Sequence, residues 1–203
     1  MQFYGKNQWP RDLPGFKDVV RSYMGAMESL GRKLLPLWAL ALDMPQDYFQ
    51  PYFKNGYTYY RMAHYPPAAT QDENEFALGA HADTGFMTLL PSADVEGLEI
   101  MDADGIWFRP AKIDGAIHVN IGQFLNRWTN ERLRATPHRV AIPKADRYTV
   151  PVFVNPDLEP VVHCIPTCAD KDNPPKYEPE SYYDFFKWYM ANSYPHYAEF
   201  HAA

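Results

Sequence analysis

The sequence has little of what marks several common classes of protein. Only two cysteines occur, Cys164 and Cys168, and an isolated Cys-x3-Cys pair is more often two reduced thiols than a zinc site. The longest apolar run, residues 34–42, contains Pro36 and is far shorter than the roughly 20 residues of a membrane-spanning helix. The N-terminus lacks the charged-then-apolar layout of a signal peptide. We therefore expect a cytoplasmic protein without a membrane partner.

Excess positive charge is also absent. Lys and Arg number 19 against 25 Asp and Glu, and the net charge is −6 at pH 7. Non-specific binding to nucleic acid depends on clustered Lys and Arg, and no basic stripe runs along the chain. We therefore expect no nucleic-acid partner, whereas the oligomeric state stays open.

Aromatic residues and prolines are plentiful. The chain has 19 prolines, which fall mainly between short apolar runs, an arrangement typical of short strands joined by turns. Before these runs, apolar residues spaced by three and four from Val20 to Ala41 predict an amphipathic helix with Asp12 as its cap. A second, short helix is predicted over residues 46–51. These two elements form a predicted helical scaffold, residues 1–55.

From Tyr57 onward the pattern changes to strands. Turns at intervals of about 8 to 12 residues are typical of a β-sandwich or barrel, and the predicted strands cover residues 57–65, 77–81, 85–90, 97–101, 105–109, 115–121, 138–142, 147–154 and 158–163. Helices are predicted near 122–130 and at 181–192. The predicted fold class is mainly β with flanking helices. We expect a single domain, residues 1–203, with a β core over 57–163 and a loop and C-terminal helix over 164–203.

Three side chains form a candidate metal site. His81 and Asp83 are two residues apart, so on an extended segment they point the same way. About one such triplet is expected by chance at this composition, and the pair alone therefore proves little. His138 stands at the head of another predicted strand. Two histidines and one carboxylate on one face of an octahedral ion form the facial triad that binds non-haem Fe(II) and leaves open positions. A 2-oxo acid could chelate through two of these positions, which leaves one for dioxygen.

A second group of polar residues suits a carboxylate ligand. Arg147 and Thr149 share a face of their predicted strand. A guanidinium beside a hydroxyl matches a carboxylate, which it holds through two parallel hydrogen bonds. Tyr65 could add a phenol donor.

Taken together, these motifs resemble the isopenicillin N synthase-like family of Fe(II)- and 2-oxoglutarate-dependent oxygenases. The similarity covers Tyr57 to Pro156 and rests on His81-Ala82-Asp83, Val119-Asn120-Ile121-Gly122, Trp128-Thr129-Asn130, Pro137-His138-Arg139-Val140, Arg147-Tyr148-Thr149 and Asn155-Pro156. It implies a double-stranded β-helix (jelly-roll) core with His81, Asp83 and His138 on iron. It also implies that Arg147 and Thr149 hold the distal carboxylate of 2-oxoglutarate, with help from Tyr65.

The resemblance implies a small-molecule substrate, dioxygen as oxidant, and succinate and CO2 as products. We expect Phe86 and Phe153 to line the substrate pocket. Arg61 shares strand parity with Tyr59 and Tyr65 and is predicted to point into the barrel mouth, where it would receive an acidic group of the substrate. The alternative for Arg61 is an internal ion pair with Asp or Glu.

The chain departs from the family pattern at several points. Thr149 replaces a common Ser, Gln123 a common Asp, and Ala63 an Asn often found before the Tyr-Pro motif. The N-terminal region usual in the family is also expected to be missing. Two alternative functions stay open. One is a 2-oxoglutarate-independent oxidase of the isopenicillin N synthase or cyclopropane-carboxylate oxidase type, and the other is a non-catalytic metal-binding β-barrel.

Overall fold

The computed structural model describes residues 6–68 and 75–194. The first element is the helix α1, Phe16–Ala41, whose buried residues recur along one face: Val20, Met27, Gly31, Leu35 and Ala39. The prediction that Asp12 caps this helix is wrong. Gly15, at φ 83°, directly precedes the helix, and no side chain caps it. The start is therefore set by a left-handed turn that glycine adopts without strain.

Short strands and two further helices follow in chain order. The strands are β1 Tyr59–Tyr60, β2 Ala63–Tyr65, β3 Phe76–His81, β4 Met87–Pro91, β5 Leu98–Met101, β6 Trp107–Phe108, β7 Ile117–Ile121, β8 His138–Ala141, β9 Arg147–Thr149, β10 Val152–Val154, β11 Val161–Val162 and β12 Glu180–Ser181. The helix α2, Gln123–Trp128, lies between β7 and β8, and α3, Tyr182–Ser193, closes the described part of the chain.

The strands form two main antiparallel sheets. In the described part of the chain one has the order β1-β10-β4-β7 and the other β3-β8-β5-β6, with β2 paired to β9 and β11 to β12. Sheets that exchange strands in this way build a jelly-roll. The prediction of a mainly β, jelly-roll protein with helices at both ends is confirmed.

The helix α1 covers the outer face of the first sheet. A Cβ on Gly31 would lie 3.0 Å from Cγ2 of Val154 in β10, so the missing side chain lets the helix approach the sheet closely. Trp38 donates its indole N–H to Sδ of Met87 at 3.3 Å. The opposite face of this sheet is turned to the barrel interior and carries Thr88, Asn120 and Phe153, which line the cavity described below.

Two predicted strands are each divided in the structure. Residues 57–65 give β1 and β2, which pair with β10 and β9 in different sheets. Residues 147–154 are interrupted before β10, where Pro151 has no N–H for a ladder bond and its carbonyl accepts from the Arg61 N–H at 3.2 Å. Both chain segments change sheet at this contact.

Other predicted elements are shorter in the structure than the sequence suggested. The helix predicted at 46–51 is a 3-10 turn, Gln50–Tyr52, because the local bonds run from Gln50 N–H to Asp47 C=O and from Phe53 N–H to Gln50 C=O. Of the strand predicted at 158–163, only β11, Val161–Val162, is formed. The predicted scaffold, 1–55, includes residues 1–5, and the predicted C-terminal segment, 164–203, includes residues 195–203. These residues lie outside the described part of the chain. No helix within the described ranges is long and apolar enough to cross a bilayer.

Two glycines allow three segments to meet behind the site. A Cβ on Gly122 would lie 2.0 Å from the carbonyl oxygen of Gly85, and one on Gly85 would lie 1.8 Å from Oδ1 of Asn155. Asn155 Oδ1 accepts the Phe86 N–H at 2.9 Å, and its Nδ2 donates to the Tyr57 carbonyl at 3.1 Å. These contacts fix the turn between Asp83 and β4.

The Gly122 contact gives a stability prediction. Gly122→Ala should lower the free energy of unfolding by about 2 kcal/mol, because the obstructing atoms belong to the backbone and cannot rotate away. Gly25→Ala is the matched control, since a Cβ there meets nothing within 4 Å. In a helix interior it should raise stability by about 0.5–1 kcal/mol. Urea unfolding measures both, and equal stability of the two variants would contradict the packing argument.

Candidate metal and co-substrate site

The pairing of β3 with β8 places two histidines side by side. His81, the last residue of β3, is the direct partner of His138, the first of β8, and their ring centroids are 4.3 Å apart. Asp83 follows two residues after His81. Its Oδ1 lies 3.8 Å from His81 Nε2 and 3.6 Å from His138 Nε2. One ligand atom from each residue lies within 4.8 Å of the others, so the three can share one ion.

Backbone carbonyls select the tautomer of both imidazoles. His81 Nδ1 is 2.9 Å from the Gly79 carbonyl, and His138 Nδ1 is 3.1 Å from the Thr136 carbonyl. A carbonyl only accepts, so in the neutral imidazole each Nδ1 carries the proton and each Nε2 keeps a free lone pair. The free nitrogens are the two that face Asp83. Both histidines are therefore prepared as metal ligands.

Hydrogen bonds also fix Asp83, at its carboxylate and at its main-chain carbonyl. Thr88 in β4 donates its hydroxyl to Oδ2 of Asp83 at 2.6 Å, which leaves Oδ1 turned toward the histidines. The Gln123 N–H donates to the Asp83 carbonyl at 2.7 Å, and its side-chain amide donates to the Ala82 carbonyl at 2.9 Å. The start of α2 therefore orients the carboxylate.

The electrostatics favour a neutral His81. Burial lowers its pKa, and the charges of His138 and Arg61 act in the same direction, against the raising effects of the Gly79 carbonyl and Asp83. Neutral imidazole is the form that binds metal. The pKa shift and the tautomer therefore point to the same chemistry.

A cavity joins the three ligands to Arg147. Arg147 is only 3% exposed. Its Nε donates to the Val95 carbonyl at 3.1 Å, and its guanidinium carbon lies 5.3 Å from the Tyr65 ring centroid. No carboxylate pairs with it in the part of the chain that the structure describes, and burial lowers its pKa. A buried cation without a counter-ion is costly, so the cavity is built to receive an anion.

The other predicted co-substrate residues lie beside Arg147. Tyr65 is its direct partner in the β2–β9 ladder, and Thr149 pairs with Ala63. Thr149 is buried and lines the same cavity. Gly97 makes room for the arginine, because a Cβ there would lie 3.2 Å from Arg147 Cδ.

A larger cavity adjoins His81 and Asp83 on another side. It is lined by His81 and Asp83, by Arg61 and Phe153, and by residues of the C-terminal helix. Arg61 and Phe153 also line the first cavity. Arg61 is exposed rather than buried, and it forms no ion pair with Asp or Glu within residues 6–68 and 75–194. The alternative of an internal ion pair is therefore not seen there.

The prediction that Phe86 lines the pocket is wrong. Its side chain is 0% exposed and packs edge-on against Phe49 and Phe53, with ring centroids 5.2 and 5.0 Å away. The turn fixed by Gly85 directs the ring away from the cavity and into the core beneath α1.

Sequence reasoning assigned no role to several residues of the site. Thr88 supports the carboxylate, Asn120 lines the first cavity, and Gly97 accommodates Arg147. The one available signal was Thr88, a polar residue within an otherwise apolar strand. Phe186, Tyr189 and Met190 of α3 reach the second cavity from far along the chain, and no local pattern indicates this.

The fold and the site together define a class. A jelly-roll that presents two histidines and a carboxylate to one point, with open space on the remaining sides, is the scaffold of a mononuclear non-haem metal oxygenase. The donor set suits Fe(II), and the orphaned guanidinium suits a dicarboxylic acid.

The comparisons with known proteins identify the family. The 2OG-Fe(II) oxygenase superfamily matches residues 56–156, and the chain belongs to it. The chain is 32% identical over 197 residues to the 2-oxoglutarate-Fe(II) type oxidoreductase hxnY of Emericella nidulans, covering 94% of this chain and 56% of that protein. The family resemblance drawn from the motifs is confirmed.

Solved structures of similar proteins support the same family. A 2OG-Fe(II) oxygenase family protein from Caulobacter crescentus is 30% identical with a TM-score of 0.86, over 94% of this chain and 64% of that one. A full-length Neurospora crassa protein in complex with alpha-KG is 25% identical with a TM-score of 0.85, over 94% of this chain and 62% of that one. The chain thus spans little more than half the length of these relatives.

Thr88 and Thr149 provide a pair of variants that separates the two halves of the site. Thr88→Val removes the hydroxyl that orients Asp83 and should weaken Fe(II) or Mn(II) binding by about 10- to 100-fold, as is usual when the support of a metal ligand is lost. Thr149→Val makes the same chemical change near Arg147 and should leave metal affinity nearly unchanged. Anaerobic calorimetric titration measures both affinities. Equal metal affinities in the two variants would show that Thr88 does not support the ligand.

Proposed function

We propose that this chain is a Fe(II)- and 2-oxoglutarate-dependent dioxygenase that hydroxylates or desaturates a small organic molecule. One observation carries the proposal. A single cavity contains three prepared metal ligands, His81, Asp83 and His138, and a buried guanidinium, Arg147, that pairs with no carboxylate of the described residues. A chelating dicarboxylic acid satisfies both features at once.

The residues of this chain have separate roles in the proposed reaction. His81, Asp83 and His138 would bind the metal. Arg147 and Thr149 would bind the distal carboxylate of the co-substrate, and the Tyr65 phenol would donate a further hydrogen bond to it. When bound, Fe(II) with dioxygen supplies the oxidation: 2-oxoglutarate loses CO2 and becomes succinate, which receives one oxygen atom, while the other enters the substrate or leaves as water. The apolar walls of the cavity, Leu90, Leu98 and Val140, exclude water from this step.

Succinate formation tests the proposal. Under anaerobic conditions, Fe(II) and 2-oxoglutarate should give a weak visible charge-transfer band, and in air succinate should form in step with oxygen use. His138→Ala should abolish both signals. His64→Ala is the control because His64 is an exposed strand residue paired with Asp146, outside the site.

The same measurements separate the alternatives. Oxygen use without succinate would indicate an oxidase that does not need 2-oxoglutarate. Metal binding without the band or oxygen use would indicate a non-catalytic barrel. The comparisons favour neither alternative.

We further propose that the substrate occupies the larger cavity. Arg61 and Phe153 line both this cavity and the one that contains all three metal ligands, so a substrate there meets a cation and an aromatic ring beside the reacting centre. With no carboxylate of the described residues paired to Arg61, its guanidinium is available to an acidic group. The net charge of −6 argues for a small molecule over nucleic acid, and we propose a cytoplasmic location.

Arg61 can be tested with a panel of small organic acids and their neutral amides. The wild-type protein should turn over acids in preference to amides. Arg61→Leu should lower kcat/KM for acids by about 10- to 100-fold, the usual effect of losing a charge-assisted hydrogen bond, and leave amides unaffected. Arg61→Lys should restore part of the preference. An unchanged acid preference in Arg61→Leu would remove Arg61 from substrate binding.

A further inference from the structure

A row of four side chains crosses the first sheet toward the metal ligands. Tyr59 is paired with Phe153, Phe153 with Thr88, and Thr88 with Asn120. Residues directly opposite one another lie on the same face of a sheet. Since Thr88 donates to Asp83 and Phe153 lines the cavity, Asn120 also faces the barrel interior, beside the residue that supports the metal ligand.

Asn120 is buried without a partner for its amide. It is 7% exposed, and its Nδ2 has no hydrogen-bond partner among the described residues. A buried donor left unpaired costs about 1–3 kcal/mol, so native proteins rarely retain one without a reason. Asn120 lines the same cavity as the three metal ligands and Arg147. The unpaired donor therefore belongs to a residue in the wall of that cavity.

Asn120 and Arg147 lie toward opposite ends of the cavity. Arg147 packs against Gly97, and the Gly97 carbonyl accepts the N–H of Ala141 at 2.8 Å. Ala141 is the last residue of β8, and His138 is the first. Arg147 thus lies toward the far end of that strand, whereas Asn120 lies next to Thr88 and hence at the Asp83 end.

We propose that Asn120 is a co-substrate-binding residue whose Nδ2 donates a hydrogen bond to an oxygen at the metal-chelating end of the 2-oxo acid. The inference rests on the proposed function, because it assumes that a 2-oxo acid fills the cavity. At that end the acid carries a carboxylate and a keto oxygen, both acceptors. Asn120 and Arg147 then bind opposite ends of one molecule.

The test is Asn120→Leu, which keeps the volume and removes the donor. In the Fe(II)-loaded protein, the Kd for 2-oxoglutarate, measured by anaerobic titration of the charge-transfer band, should rise about tenfold. The band maximum should also shift, because a hydrogen bond to the chelating atoms has gone. Metal affinity should stay within about twofold. The metal-free variant should melt at the same temperature as the wild type or higher, since an unpaired buried group has been removed.

Asn155→Leu is the matched control, because Asn155 is 0% exposed and both ends of its amide are bonded within the protein. It should lower the melting temperature of the metal-free protein. Asn120→Ala provides a second variant if the leucine is not accommodated. An unchanged Kd and band position in a folded Asn120 variant would overturn the inference, as would a loss of stability in both Asn120 variants like that of Asn155→Leu. Absence of the band in the wild type would instead overturn the proposed function.

Discussion

The register between β3 and β8 is the constraint on which the site depends. His81 and His138 are direct partners, and a shift of one residue would turn one imidazole to the other face of the sheet. The pairing is not regular, because it shifts between Phe76 and Leu78 and again between Leu78 and His81. Leu78 and His81 are an odd number of residues apart, yet both line the same cavity. The irregularity redirects the imidazole toward Asp83, a known role of β-bulges beside active sites.

The site holds unsatisfied polar groups in a buried place. Arg147 has no counter-ion among the described residues, Asn120 has an unpaired amide there, and two imidazole nitrogens keep free lone pairs. Each of these costs stability in the protein without its ligands. The surrounding core offsets that cost with aromatic packing: Phe49, Phe86 and Trp128 meet edge to face.

Much of the site was predictable because its chemistry is carried by residue type and spacing. His81 and Asp83 are close in sequence, and Arg147 and Thr149 share a strand face by simple alternation. His138 stands at the head of another predicted strand, and the family likeness then assigned it to iron together with the other two. The failures have a different origin. Phe86 precedes a strand that is buried on both faces, so hydrophobicity does not tell which side meets the cavity. The division of residues 57–65 depends on which distant strand each half pairs with, and this is not encoded locally. The unpaired amide of Asn120 exists only in the folded chain, so no sequence pattern indicates it.

Both histidines take their orientation from main-chain carbonyls two residues upstream, at Gly79 and Thr136. A main-chain acceptor is present whatever side chain occupies its position. The orientation of both imidazoles is therefore insensitive to substitution at these two positions. The cavity walls around Arg61 and the C-terminal helix are formed by side chains, and substitution there changes them. Substitutions in this scaffold can therefore change what the cavity accepts while leaving the orientation of both imidazoles untouched.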